Sequence, residues 1–532
     1  MPINEHFAND LIKFTVNDFI SSPKHKLMKT LTALMSLLLL AVSFYAVGLA
    51  PCLPCEKMKD VKLPDVTILS VESKTNDSMR VPEPWLPMVV ITKPFCRVMG
   101  RIGTEIHFEV LLPQEWNERF LMSGGGGFVG AIHNGFRESV NEGYATAGTD
   151  TGHSDGPFSA EWALNNVERQ INFGRLAIHQ TAVVSKAIIN AFYCKEATYS
   201  YFLGCSRGGG QAMVEAQLYP QDFNGIVAGA PAYRWPSIGA KFIQVGQKNY
   251  PDPKSMASVL TPDNLKLLQE YTMKQCDNLD GLKDKIINDP RDCKFDVSKL
   301  PPCTNNKAGA NCFTKEQLAV LRAVYEPLVV DGKVIYPGFP AGLEAEKDWD
   351  AWIGGTQGPS LSFLIGTSMF KYLVFNDSAW DYTRYDFKNY SRDTQLAASF
   401  LDATQTDYSN FKKNKGKMII YHGWNDPSIS AYATIEHYEA AMQKDKDLPS
   451  YLVLYLLPGV LHCVGGPGCD NVDWVGAIQA WVEDNKAPER VITSKLSQGK
   501  VIATKPLYPY PKVTVYSGSG DASQEKNYKV KQ

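Results

Sequence analysis

Residues 197–218 read ATYSYFLGCSRGGGQAMVEAQL, and this stretch decides the fold. Residues 197–203 are a run of β-branched and aromatic side chains, which predicts a strand. Gly204-Cys205-Ser206-Arg207-Gly208 then spells G-x-S-x-G. Residues 208–218 begin with small residues and continue with good helix formers. A strand, a sharp turn and a helix around such a serine make a nucleophile elbow, which holds the Oγ exposed above a sheet. Glycines at 204, 208 and 209 let the turn and the helix pack closely. The competing reading is a glycine-rich strand-to-helix loop with a bystander serine.

The elbow predicts an α/β-hydrolase fold, in which acid and base follow the serine in the order Ser, Asp, His. Residues 417–422 (KMIIYH) read as a buried strand running into Gly423-Trp424-Asn425-Asp426. Residues 451–457 (YLVLYLL) are a second buried strand, followed by Pro458-Gly459-Val460-Leu461-His462-Cys463. Asp426 and His462 thus each lie on a loop beyond a late strand. In the expected mechanism His462 takes the proton of Ser206, and Asp426 fixes its tautomer and stabilises the imidazolium. Among nine histidines, His422 lies inside a strand and reads as a core or supporting group. His133, His153 and His179 precede the serine. Asp377, Asp381 and Asp386 are alternative acids without so clean a preceding strand. Cys205 directly precedes the proposed nucleophile and Cys463 directly follows the proposed base, so a hydrogen-bonded Ser206–His462 pair brings the two thiols into bridging range. The alternative is two unrelated thiols.

These paired motifs resemble the tannase/feruloyl esterase family, whose Cys-Ser elbow and His-Cys loop are joined by a disulfide. The matching segments are Gly204-Cys205-Ser206-Arg207-Gly208-Gly209 and His462-Cys463-Val464-Gly465-Gly466. Further similar ones are Thr149-Asp150-Thr151-Gly152-His153 and the run FNGIVAGAPA at 223–232. The resemblance spans about residues 60–515. It implies hydrolysis of an aromatic acid ester: a feruloyl or other hydroxycinnamoyl ester, a galloyl ester, or a terephthalate monoester.

In this fold one oxyanion donor is the backbone N–H after the nucleophile, here Arg207, and the other comes from a loop after an early strand. Residues 119–122 (RFLM) read as that strand and lead into Ser123-Gly124-Gly125-Gly126-Gly127. Gly125 and Gly126 are the expected donors; a flexible surface turn is the other reading. A phosphate loop is excluded because no Lys-Ser/Thr follows.

Residues 276–287 read CDNLDGLKDKII. Three aspartates with a glycine offer the hard oxygens a Ca²⁺ ion takes, though the spacing is not that of an EF-hand. Alone, the segment reads equally as a solvated acidic turn. The family resemblance implies a structural calcium site in an inserted lid, with the side chains of Asp277, Asp280 and Asp284 and the carbonyls of Leu282 and Ile286. Cys276 with Cys293, and Cys303 with Cys312, each enclose a short stretch suited to a local disulfide. The 11 cysteines leave at least one without an internal partner. Among Cys52, Cys55, Cys96, Cys194 and Cys469, the expected bridge joins Cys52 or Cys55 to Cys96. A zinc site lacks a second compact Cys/His pair.

Disulfides imply export, and residues 31–50 (LTALMSLLLLAVSFYAVGLA) after a basic 26–29 segment read as a secretory signal, with Met28 a candidate start. Leu49-Ala50-Pro51-Cys52 loosely resembles a lipoprotein cleavage box, and the apolar run is long enough for an anchor. A secreted or periplasmic enzyme is the leading expectation, with no membrane association of the mature chain unless lipid-anchored. The net charge of −2 and the absence of basic runs exclude a nucleic-acid partner class. The 532 residues suffice for a hydrolase domain with an insertion. The expected organisation is a leader (1–50), core (51–232), lid (233–404) and core (405–532). The lid holds Trp349, Trp352, Phe363, Phe370, Tyr372, Phe375, Trp380 and Tyr382, which read as core with a few available to stack on an acyl ring. Residues 474–485 read as a helix, and 517–532 as a frayed tail. The expected activity is a serine carboxylesterase acting on a small aromatic ester or an ester-decorated polysaccharide or polyphenol. A general esterase, lipase or peptidase on the same fold, and a non-catalytic binding protein, are the alternatives.

Overall fold

The computed structural model describes residues 48–79 and 88–531. The leader expected at 1–50 lies outside the described residues except at its end. There Leu49 already pairs with Trp116 through two backbone hydrogen bonds of 2.7 and 3.1 Å, so the fold begins before residue 51.

Nine strands form the main sheet: β1 (Val66–Lys74), β2 (Phe95–Ile102), β3 (Ile106–Pro113), β4 (Arg119–Ser123), β5 (Ala145–Thr149), β6 (Tyr199–Cys205), β7 (Gly225–Gly229), β8 (Lys417–Gly423) and β9 (Leu452–Leu457). Their spatial order is β1-β2-β3-β5-β4-β6-β7-β8-β9. Pairings from β1 to β5 are antiparallel, and those from β5 through β9 are parallel. The longer helices are α1 (Ala177–Tyr193), α2 (Arg207–Leu218), α3 (Trp235–Asn249), α4 (Pro262–Cys276), α5 (Lys315–Tyr325), α6 (Leu361–Met369), α7 (Tyr390–Leu401), α8 (Ala431–Lys444) and α9 (Trp474–Asp484).

The parallel strands are apolar on both sides because both faces are covered. Phe120, Phe202, Ile226 and Ile420 pack with Ile188 of α1, Met213 of α2 and Ile435 of α8. Leu121, Tyr201, Val227 and Ile419, one residue along each strand and so on the opposite face, pack with Ile478 and Trp481 of α9. Parallel strands β6, β7, β8 and β9 therefore end at one edge of the sheet, and the loops after β6, β8 and β9 carry Ser206, Asp426 and His462.

Residues 230–416, between β7 and β8, add no strand to this sheet. Helices α3 to α7 lie here and share a core that includes Trp235, Leu268, Val324, Met369 and Phe400. Most of the aromatic residues expected as core are core. Trp349, Phe363, Phe370 and Tyr382 are buried, and Phe370, Phe375 and Trp380 pack ring against ring at 5.3–6.2 Å. The tail is not frayed as expected: Val513–Tyr516 pairs antiparallel with Tyr528–Lys531, and Tyr516 packs edge-on against Tyr528 at 5.7 Å.

Five disulfides form: Cys52–Cys194, Cys55–Cys96, Cys205–Cys463, Cys276–Cys293 and Cys303–Cys312. Cys469 is a buried free thiol. Of the two candidates for Cys96 it is Cys55 that bridges, while Cys52 reaches Cys194 at the end of α1, a pairing that sequence spacing did not suggest. With its sulfur in that bridge, Cys52 has no thiol to carry a lipid, which counts against the lipoprotein alternative. Among the described residues no helix is long and apolar enough to cross a membrane.

Candidate active site

The turn from β6 to α2 is built for a serine. Ser206 sits at φ 64° and ψ −120°, a region costly for a residue with a Cβ and a mark of a functional constraint. The turn tolerates it because nothing around it has bulk. A Cβ on Gly204 would lie 2.6 Å from the Gly208 backbone, and one on Gly209 would lie 2.2 Å from the carbonyl oxygen of Gly229. The backbone N–H of Ser206 donates to that same Gly229 carbonyl at 3.0 Å, which ties the elbow to β7.

Asp426 is buried and fully engaged. Its Oδ1 accepts the backbone N–H groups of Ser428 (2.7 Å) and Ile429 (2.9 Å). Its Oδ2 lies 2.8 Å from Nδ1 of His462 and 3.3 Å from Nε2 of His422. Burial alone would raise the carboxyl, but the two imidazoles outweigh it and hold Asp426 well below the usual carboxylate range. Asp426 is thus a fixed anion that selects the His462 tautomer with its proton on Nδ1, leaving Nε2 as the basic nitrogen. A depressed carboxyl of this kind contributes stability above its unfolded pKa of about 4 and loses it as pH falls.

His422 belongs to this network more closely than a general core role suggests. Its Nδ1 meets the Thr434 hydroxyl at 2.8 Å and its Nε2 meets the Ile429 carbonyl at 2.9 Å. Its place at the end of β8, four residues before Asp426, is the signal that ties it to the acid. His462 and Ser206 are brought together through their neighbours: the Cys205–Cys463 bridge has a Cα–Cα distance of 5.9 Å. No hydrogen bond joins Ser206 Oγ to His462, as is common for such pairs without substrate.

The remaining candidates have other duties. His153 bonds the Phe128 carbonyl at 2.8 Å and stacks on Trp162 at 4.0 Å, and burial pushes its pKa down to about 4. It therefore braces the glycine loop. The His133 carbonyl accepts the Ser123 hydroxyl at the start of that loop. His179 pairs with Asp222 at 2.6 Å. Asp377, Asp381 and Asp386 each accept a backbone N–H two residues on, as turn and cap residues. Of the two glycines expected to donate to an oxyanion, Gly125 has its N–H taken by Gln211 Oε1 at 3.1 Å. Gly127, rather than Gly125 or Gly126, lines the cavity beside Ser206 and Arg207.

That cavity is walled by Trp235, Ile238, Phe242, Trp352, Ile365 and Met369. Trp352 stands edge-on to the His462 ring at 5.0 Å. Arg207 is buried behind it. Its Nη2 donates to the carbonyls of Phe173 and Gly174 at 2.5 and 3.0 Å, its guanidinium lies over the Phe173 and Trp235 rings, and burial pushes its pKa down to about 9. This side chain supports the wall, a role not legible beside its backbone N–H.

In the calcium candidate, Asp277, Asp280 and Asp284 each use Oδ1 to accept a backbone N–H, from Lys285, Leu282 and Ile286. Burial and the Asp284 charge raise the Asp280 carboxyl. Lys505 Nζ lies 3.3 Å from Asp284 Oδ2. The three carboxylates are not drawn to within 4.8 Å of one another.

An elbow serine, a buried aspartate on a histidine and the sheet order define an α/β-hydrolase. The chain matches the tannase and feruloyl esterase family over residues 89–531 and belongs to that family of carboxylesterases. It is 30% identical to an uncharacterised esterase of Xanthomonas campestris pv. campestris, over 94% of this chain and 94% of that one. It is 30% identical to the mono(2-hydroxyethyl) terephthalate hydrolase of Piscinibacter sakaiensis, over 81% of this chain and 84% of the relative. The crystal structure of feruloyl esterase B from Aspergillus oryzae superposes with a TM-score of 0.80 at 26% identity, covering 90% of this chain and 99% of that one.

Proposed function

We propose that the protein is an exported serine esterase that cleaves esters of uncharged aromatic acids through an acyl-enzyme. Ser206 Oγ attacks the ester carbonyl as His462 Nε2 takes its proton. The imidazolium, steadied by Asp426, then protonates the departing alcohol. Water repeats the sequence to release the acid. The backbone N–H of Arg207, with one from the Gly126–Gly127 segment, receives the developing oxyanion. The observation that carries this reading is the Asp426–His462 hydrogen bond of 2.8 Å, on a loop bolted to the elbow by Cys205–Cys463. A buried charged pair so arranged favours catalysis over a pure binding role. The five disulfides support export.

The cavity walls favour a neutral ring as the acyl group. Arg207 is the sole ionisable side chain among the cavity's lining residues; its Nη2 is held by two carbonyls, while its Nε and Nη1 are buried without a hydrogen-bond partner. The rest of the lining is apolar or hydroxyl-bearing, so a terephthalate carboxylate that did not reach the Arg207 guanidinium would be buried without a charged partner, which costs several kcal/mol. Methyl cinnamate or ferulate is therefore expected to exceed mono(2-hydroxyethyl) terephthalate in kcat/KM by on the order of 10²-fold. Equal or better turnover of the terephthalate ester would overturn this choice of acyl group.

Calcium is proposed at the 277–286 turn, where the ion would supply structural cross-linking and no step of the reaction. The all-oxygen donor set fits Ca²⁺, and the crowding of Asp280 against Asp284 is what a cation relieves. Chelation with EGTA is expected to lower Tm, reversibly on adding Ca²⁺; at a hundredfold excess over Kd the ion contributes about 2.7 kcal/mol. An unchanged Tm with EGTA would remove calcium from the account.

A further inference from the structure

We propose that His179, Glu215 and Asp222 form a binding site for a first-row divalent cation, Zn²⁺ the best fit, behind the nucleophile helix. The three residues come from separate parts of the core: α1, the end of α2, and the turn before β7. Their candidate ligand atoms all lie within 4.8 Å of one another. Imidazole with two carboxylates is a donor set suited to zinc and its neighbours rather than to Ca²⁺.

The second observation is the state of Glu215. It is 0% exposed, and neither of its carboxylate oxygens has a hydrogen-bond donor. A buried carboxylate without a partner is expensive, and here it faces a second one. Two facing carboxylates do not both stay ionised unless a cation or a proton lies between them. Lys186 does not resolve this: its Nζ goes to the backbone carbonyl of Asp222. Lys186 is a single cation against two carboxylates.

The surroundings suit an ion. The His179 side chain is 25% exposed and offers a route in, while its ring is stacked on Tyr219 at 3.9 Å. The present His179–Asp222 hydrogen bond of 2.6 Å is what the pair makes without a metal; ligation through Nδ1 replaces it, with the ring proton carried on Nε2 instead. Glu215 also lines a small cavity of about 10 Å³, room for about one water, together with Asn172 and Gln211. Gln211 Nε2 is buried there without an acceptor. A metal-bound water in that cavity would supply one. Gln211 Oε1 already holds the Gly125 N–H, so the ion would brace the glycine loop as well as the helix that carries Ser206.

The test is titration of the intact protein, in saturating Ca²⁺, with Zn²⁺ by calorimetry and with Co²⁺ by absorption. The expected result is one equivalent bound, a rise in Tm, and Co²⁺ d–d bands without the thiolate charge transfer that Cys469 would give. His179→Ala, changed at a partly exposed position, is expected to lose the binding while keeping its circular dichroism. Glu215→Gln is expected to lose it too, and Asp280→Asn in the calcium turn to retain it. Absence of binding by the unaltered protein, or unchanged binding by His179→Ala, overturns the proposal. Glu215→Gln as stable as the parent, with no ion bound by either, would show that Glu215 and Asp222 share a proton instead.

Discussion

Ser206→Ala is expected to lower kcat on aromatic esters by on the order of 10⁶-fold with little change in KM. The substitution removes one oxygen from a turn whose shape is set elsewhere. Ser206 N still reaches the Gly229 carbonyl, and the Gly204 and Gly209 contacts remain. The strained φ of 64° is no easier for alanine, so folding stability should stay close to the parent. The cavity walls and the oxyanion N–H groups survive, so a residual rate above water is expected. Kinetics on methyl ferulate beside a thermal melt would check both halves. A variant that melts normally yet keeps most of its rate would remove Ser206 from the mechanism, and with it the acyl-enzyme.

The double replacement Cys205→Ser/Cys463→Ser is the second large effect, and it acts on stability and rate together. The bridge closes a separation of 258 residues. Chain-entropy reasoning puts its removal at up to about 5 kcal/mol, a large part of the stability of an ordinary domain. Rate suffers separately. Asp426 is fixed by backbone N–H groups of its own loop, but the link between the His462 loop and the elbow is this bridge. Opening it lets the base move relative to Oγ, and a displacement of about 1 Å can cost 10²-fold. The expected signature is a kcat loss in the variant at temperatures well below its melt. Loss of stability with full kcat in the surviving folded fraction would show that the bridge only staples the fold.

Those two residues pairs also show what was legible before the fold was known. The elbow, the two buried strands and the loops beyond them are local patterns, and strand-end chemistry follows the chain. The Cys205–Cys463 pairing was legible because both cysteines adjoin residues that the mechanism brings together. Cys52–Cys194 had no such anchor; only the packing of the N-terminal segment on α1 makes them neighbours. The glycine loop after β4 is legible as an oxyanion candidate, but the choice among its glycines depends on Gln211, a side chain 86 residues away. The tail at 517–531 was misread because small and charged residues there serve the turn of a hairpin rather than a disordered end. Of eight lid aromatics, the one standing against His462 is set by tertiary packing that spacing does not encode.

That indole has a consequence for how such an enzyme diversifies. Trp352 is contributed by residues 230–416 yet stands 5.0 Å from the His462 imidazole, as a wall of the cavity beside Ser206 and a neighbour of the proposed base at once. A change that reshapes the cavity at this position also alters the polarity and water access around the proton-transferring nitrogen. Under the proposed mechanism, substrate range and proton chemistry are therefore not separate traits. Under the proposed mechanism, a lineage drifting toward a new acid at this position alters the surroundings of its base in the same step.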